Sequence, residues 1–309
     1  MIRRFLMTGL FSLAFVGLAS AQFDDPPTLE NRNGSQGFQW YMLEVPDDMV
    51  NSMTVDGNDD DWDWWDPEFT IVAEEFRDEA DRPSPDRDDL NFRLQMAWKG
   101  GDVNRWFVFL EIVDDTLHHG GTAVNRWAGD MIQWSLDPPD HGRELATGFT
   151  MEWWGAPGDM SPPPNHRYRY DNVEAWLEYG DAEYMDFIVT VDPPEAWAAE
   201  IWPTGGTTTY EYNYIVFEHL QDGGPSASVP HQLDSVAGED GFGLPFAFWI
   251  EDGDSEEPDN DFTSRGAEAS ARQYYSHALL LKTGDFVDGR GGATAVESST
   301  WGAIKKAYK

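Results

Sequence analysis

The sequence predicts an all-β protein built as a sandwich. Three observations carry that expectation: apolar and polar residues alternate with period two in many short runs, clusters of Gly, Pro, Asp and Asn separate those runs, and long amphipathic helical runs are nearly absent. Residues 90–98 are the clearest case. Leu90, Phe92, Leu94, Met96 and Trp98 share one face, and Asn91, Arg93, Gln95 and Ala97 share the other, the pattern of a half-buried strand. Further strands are expected at 106–113, 131–136, 187–191, 210–217, 246–250 and 275–282, with another at 70–76. Gly100-Gly101, Gly205-Gly206 and Gly223-Gly224 read as turns. Asp137-Pro138-Pro139 and Asp192-Pro193-Pro194 end strands, because proline cannot donate to a ladder. Residues 149–202, rich in Trp and Tyr and interrupted by Pro162-Pro163-Pro164, read as extended loops decorating one rim.

The N-terminus reads as an export signal. Arg3 and Arg4 precede an apolar stretch from Phe5 to Leu18, and Ala19-Ser20-Ala21 supplies small residues for cleavage after Ala21. The expected organisation is a signal peptide at 1–21, an extended arm at 22–50, one sandwich domain at 51–282 and a tail at 283–309. In the tail, Trp301, Ile304 and Tyr308 fall at helical spacing beside Lys305, Lys306 and Lys309, which predicts a short helix. The protein is therefore expected to be secreted, to the periplasm, cell surface or medium. No later stretch has the unbroken apolar length of a membrane helix. The chain contains no cysteine, so disulfides and a lipidated cysteine are excluded and stability must come from the core.

The 57 acids stand against 20 Lys and Arg, a net charge of −37 that becomes more negative once Arg3 and Arg4 leave with the leader. Such a field repels nucleic acid and anionic membranes, whereas neutral glycans and divalent cations remain acceptable partners. The 15 tryptophans all lie beyond the leader. A core rarely favours Trp so heavily, because each buried indole N–H needs a partner, so some rings are expected to stand open for binding. Trp153 and Trp154 are adjacent. In a strand they point to opposite faces, one toward the core and one outward, and the sequence leaves open which is which.

Asp56, Asn58 and Asp60 stand at positions one, three and five of a run that starts like a calcium loop. Asp61 replaces the turn glycine and Pro67 stands where the bidentate Glu belongs, which excludes an EF-hand but leaves a looser calcium site. A second cation site is expected around Asp252, Asp254, Glu256 and Asp259. His118-His119 offers diverging ring nitrogens and suggests no transition-metal site. No serine-nucleophile motif, thiol or glycine-rich nucleotide loop is present, and carboxylate pairs cannot be picked out among so many acids. The chain is expected not to be an enzyme.

The motifs, taken in order, resemble family 9 carbohydrate-binding modules and their DOMON-related kin. Val55-Asp56-Gly57 followed by Trp62 is similar to the family's opening. Residues 107–115, Phe-Val-Phe-Leu-Glu-Ile-Val-Asp-Asp, come next. Residues 127–138, from Trp127 through Asp130 to Asp137-Pro138, are similar to its "Trp–x–x–Asp–x–hydrophobic–Glu" strand, with Gln133 at the Glu position. Residues 214–220, 246–254 and 277–282 resemble its later strands. The resemblance implies a jelly-roll-like antiparallel β-sandwich that holds a polysaccharide or oligosaccharide between aromatic rings, often with structural calcium. It matches Trp127 to one wall of the aromatic clamp and brings Asp130 beside it. At the second wall the family's Trp is replaced by Arg265-Gly266-Ala267-Glu268-Ala269, with Tyr274 and Tyr275 as the nearest aromatics. The expected ligand set is Trp127, Asp130, Trp153, Trp154, Tyr274 and Tyr275. Two competing readings are a haem-binding relative, for which Met96, Met131 and His277 are the available axial ligands, and a surface structural protein assembled through calcium.

Overall fold

A computed structural model describes residues 39–73, 77–78, 89–118, 130–136, 149–155, 168–170, 173–174, 183–198, 201–219, 225–236, 244–252, 260–263 and 276–282. The stretches read as a signal peptide and a tail, and most of the stretch read as an arm, lie outside these residues. In chain order the strands are β1 (Gln39–Glu44), β2 (Ile71–Val72), β3 (Arg77–Asp78), β4 (Leu90–Lys99), β5 (Arg105–Asp114), β6 (Leu117–His118), β7 (Met131–Leu136), β8 (Phe149–Gly155), β9 (Tyr168–Tyr170), β10 (Val173–Glu174), β11 (Met185–Asp192), β12 (Ile201–Trp202), β13 (Gly206–Tyr214), β14 (Phe217–His219), β15 (Val229–Pro230), β16 (Leu244–Asp252), β17 (Asn260–Thr263) and β18 (Ser276–Leu281). The one α-helix among them, α1 (Leu233–Val236), is a single turn, and no described helix is long and apolar enough to cross a membrane.

One ladder runs β10-β9-β8-β7-β16-β18-β1-β4-β5-β13-β11, with β2 on β4, β17 on β16 and β3 on β17. The ladder folds over on itself. Phe248, Ile250 and Ile132 from one half pack in the same buried cluster as Leu94, Leu110, Tyr210 and Tyr212 from the other. That makes the all-β sandwich the sequence predicts, because each half buries the apolar face that period-two alternation gives it.

Three details differ from the sequence expectation. The sheet is mixed rather than antiparallel throughout: β1 runs parallel to both β18 and β4. It lies within the stretch read as an arm, yet Trp40 and Met42 are fully buried in the main core, and their apolar side chains explain why the strand is drawn in. Residues 149–155, read as rim loop, form β8, whose Phe149, Met151 and Trp153 alternate with Thr150, Glu152 and Trp154. In the expected strand at 210–217, the ladder ends at Tyr214 and β14 follows separately.

The half-buried reading of β4 holds only for its first residues. Asn91 is exposed and Arg93 half-buried, but Gln95 and Ala97 on the same face are buried. The cause is a strap, residues 45–69, that crosses the outer face of the sheet and builds a second core. Trp62, Trp65 and Phe69 pack there against Tyr41, Ala97, Phe107, Phe109 and Leu281. The rings meet edge-on or tilted: Trp62 to Trp65 at 5.9 Å, Trp62 to Phe109 at 6.2 Å, and Tyr41 to Phe69 at 5.9 Å. Four of the tryptophans counted as potential binding rings, Trp62, Trp65, Trp98 and Trp106, are thus buried, and Trp40 makes a fifth.

Candidate functional site

The register gives the partners of the adjacent tryptophans of β8. Trp153 pairs with Trp134, and Trp134 with Phe248; Trp154 pairs with Gln133, and Gln133 with Trp249. Directly paired residues share a face, and Phe248 is fully buried in the main core. Trp154, Gln133 and Trp249 are thus successive partners in one register row across β8, β7 and β16. With adjacent strands about 4.8 Å apart, the two tryptophan positions are about 10 Å apart, with an amide-bearing residue between them. Trp127, Tyr274 and Tyr275 lie outside the described residues.

A second constellation sits where three strands end on one rim. Asp114 closes β5, Asp130 immediately precedes β7, and Asp252 closes β16; one carboxylate oxygen from each lies within 4.8 Å of the others. Asp252 is fully buried and Asp114 nearly so, while Asp130 is half-buried. Local bonds set these carboxylates in place. Asp114 Oδ1 accepts the Thr116 amide at 2.9 Å, and Asp130 Oδ2 accepts the His118 amide at 2.7 Å while the Asp130 amide donates to the His118 carbonyl at 3.0 Å. The field of this cluster is felt in the core. Burial first, and then the charges of Asp130 and Asp114, push the Tyr210 phenol well above its ordinary range. Three carboxylate oxygens are hard donors of the kind calcium takes.

Of the expected ligands, Asp130 and Asp252 are thus brought together. Asp254 and Glu256 lie outside the described residues. Asp56, Asn58 and Asp60 stand elsewhere, in the strap. Asp56 Oδ1 accepts both the Asn58 amide and the Asn58 side-chain N–H, at 2.9 and 3.0 Å, so this carboxylate closes its own turn. Asp60 opens a 3-10 helix at Asp60–Trp62 and is exposed.

Sequence reasoning missed Asp114 as a ligand, Trp249 as a row member, and Glu211. In the run Tyr210-Glu211-Tyr212-Asn213-Tyr214, Glu211 and Asn213 alternate with three tyrosines, and nothing in the run itself marks Glu211 for burial. The strap buries it instead: Glu211 is 2% exposed. Its Oε2 accepts the Asp56 and Gly57 amides, both at 2.8 Å, and its Oε1 accepts the Trp62 indole N–H at 3.0 Å. Burial pushes this carboxyl up to about 7, opposed by those hydrogen bonds and reinforced by the charge of Asp61. Gly57 adopts φ +83°, and a Cβ there would lie 2.7 Å from Thr190 Cγ2, so glycine is what lets the turn approach the sheet.

Of the axial-ligand candidates of the haem reading, Met96 lies in the main core, while Met131 opens β7 and His277 lies in β18.

The fold belongs to the class of all-β sandwiches. Within that class the chain is similar to two solved structures of a family 9 carbohydrate-binding module from Caldicellulosiruptor kristjanssonii. For the complex with glucose, the TM-score is 0.47 and the identity 12%, covering 81% of this chain and 98% of that one. For the complex with cellotriose, the TM-score is 0.44 and the identity 12%, covering 79% of this chain and 94% of that one. No protein-family model matches the chain, and no curated protein matches it.

Proposed function

We propose that this protein is an exported, non-catalytic saccharide-binding module. In this reading a glycan lies along the sheet face that carries Trp154, Gln133 and Trp249, with Trp127 in the segment leading to β7 as a flanking ring. The row itself is the observation that carries the proposal. A pyranose offers flat C–H faces to indoles and hydroxyl edges to amides, and two Trp positions about two strand spacings apart with an amide-bearing residue between them match that alternation. The ordered motifs that resemble family 9 modules support the same ligand class.

The proposal includes calcium at Asp114, Asp130 and Asp252. These residues come from both halves of the sandwich, β5 from one and the β7 and β16 strands from the other. A hard cation there would tie the halves together at one rim and relieve the repulsion among three carboxylates.

Affinity electrophoresis against soluble cellulose derivatives, xylan and algal polysaccharides, with titration calorimetry on glucose and cellotriose, tests the reading. Retardation by at least one glycan that Trp154→Ala and Trp249→Ala each weaken at least about ten-fold is expected, since a stacked aromatic contributes on the order of 1–2 kcal/mol. Binding that both variants leave intact places the glycan elsewhere, and silence across all glycans overturns the function.

A further inference from the structure

The register row through Trp154, Gln133 and Trp249 does not stop at β16. Trp249 is also the direct partner of Thr263 in β17, and Thr263 is the direct partner of Arg77 in β3. The row therefore crosses β8, β7, β16, β17 and β3 and reads Trp154, Gln133, Trp249, Thr263, Arg77. Its ends lie four strand spacings apart, about 19 Å, twice the distance between the two tryptophan positions. Resting on the saccharide reading above, we propose that the ligand is an interior stretch of an uncharged polysaccharide running across the strands from β8 to β3, with Thr263 and Arg77 as a further subsite beyond the tryptophans.

The length of the row argues for a chain rather than a chain end. Directly paired positions are neighbours across a sheet, so the row sets stacking and hydrogen-bonding residue types side by side: indole, amide, indole, hydroxyl, guanidinium. A terminal ring held at the tryptophans does not reach Arg77, two spacings or about 10 Å beyond Trp249. A glycan that continues across β17 and β3 does, and its successive rings repeat the same demand for a flat contact and for hydroxyl partners.

The neighbouring rows decide the charge of that glycan. An arginine alone suits carboxylates and sulfates as well as hydroxyls. Two positions along each strand, where the pleat repeats, one flanking row reads Glu152, Ser135, Ala247 and the other reads Met131, Glu251, Asp261. Three acids thus accompany the single Arg77, in a chain whose net charge is −37. Anionic sugars meet net repulsion there, whereas hydroxyls find acceptors in the acids and donors in the amide and guanidinium.

Titration calorimetry of the full chain with cellotriose, cellohexaose, xylotriose and xylohexaose, beside affinity electrophoresis on hydroxyethylcellulose, xylan, laminarin and alginate, tests this. In the series that binds, the hexamer should bind more tightly than the trimer. Arg77→Met and Thr263→Val should each weaken the hexamer about three- to ten-fold, the effect of one lost hydrogen-bonding partner, and leave the trimer unchanged. They should likewise weaken retardation by whichever neutral polysaccharide is bound. A variant that merely disturbs the sheet weakens both lengths alike, and Thr263→Val, which keeps the side-chain shape, serves if Arg77→Met does not fold. Equal affinity for the two lengths, variants that spare the hexamer or weaken both lengths alike, or alginate retarding as strongly as the neutral glycans each overturns the proposal while Trp154 and Trp249 keep their role. Silence across every glycan removes the saccharide reading and this subsite together.

Discussion

Replacing Trp62 with Phe keeps an aromatic ring in the strap core while deleting one donor to Glu211. Two contributions can be separated. Trp62 is 2% exposed among Trp64, Trp65 and Phe109, so losing the pyrrole half of the indole leaves a small void costing about 1–2 kcal/mol. The lost 3.0 Å bond to Glu211 Oε1 leaves a buried acceptor with one donor fewer, which costs about 1.5–3 kcal/mol when the carboxyl is ionised and about 1 kcal/mol when it is neutral. The variant should thus lose about 2.5–5 kcal/mol at pH 8.5 and about 2–3 kcal/mol at pH 5, the loss being larger at the higher pH. Urea denaturation at both pH values, with the slope checked for constancy, measures the two losses. In a double-mutant cycle with Glu211→Gln, the coupling should be about 1–2 kcal/mol at pH 8.5 and smaller at pH 5. A loss that is the same at both pH values, or a coupling indistinguishable from zero at pH 8.5, refutes the Trp62–Glu211 bond as an anchor of the strap.

Gly57→Ala forces a side chain into φ +83° against Thr190 and should destabilise by about 1–3 kcal/mol, with partial recovery in the background of Thr190→Ser, measured by thermal melting. Gly205→Ala should be worse: at φ +68° its Cβ would stand 2.5 Å from the Asp114 carbonyl oxygen and 2.8 Å from Asp115 Cα. Backbone cannot swing away as a threonine can, so a loss above about 2 kcal/mol is expected. Calcium should raise the melting temperature by several degrees and chelator should reverse it; Asp252→Asn should abolish the shift, while Asp60→Asn, on the exposed strap turn, should leave it intact. Arg93→Met should lose only about 1 kcal/mol, because the side chain is 31% exposed and its ion pairs are partly screened; a larger loss in a salt-insensitive melt would mean that its stacking over Phe109 dominates.

Alternation made the strand legible where one face meets the core and the other meets water, as around Asn91 in β4 and Val113 in β5. It failed where both faces are covered. Nothing in residues 90–98 distinguishes Asn91, which is exposed, from Gln95, which is buried, because the strap that covers Gln95 comes from residues 45–69. Glu211 was missed for the same reason: its cover lies about 150 positions away, at Asp56 and Gly57. Asp130 and Asp252 were picked out by composition, but their convergence with Asp114 depends on which strands end together, a property of topology. Which residues Trp153 and Trp154 pair with is set by the register across β7, which no local run of sequence carries.

The parallel seam at β1 bears on how the chain is made. Its longer partner is β18, five paired positions at 277–281, while β4 contributes only the two pairs at Leu43 and Glu44. A ribosome or export channel therefore delivers β1 first and nearly all the remaining strands before the segment that secures it. Through that interval an apolar strand bearing Trp40 and Met42 waits with one edge open, so contacts between very distant positions set the pace of assembly and invite pairing with a neighbouring chain. Holding the unfinished polypeptide apart from its copies until Leu281 has emerged is a demand that this connectivity places on the cell.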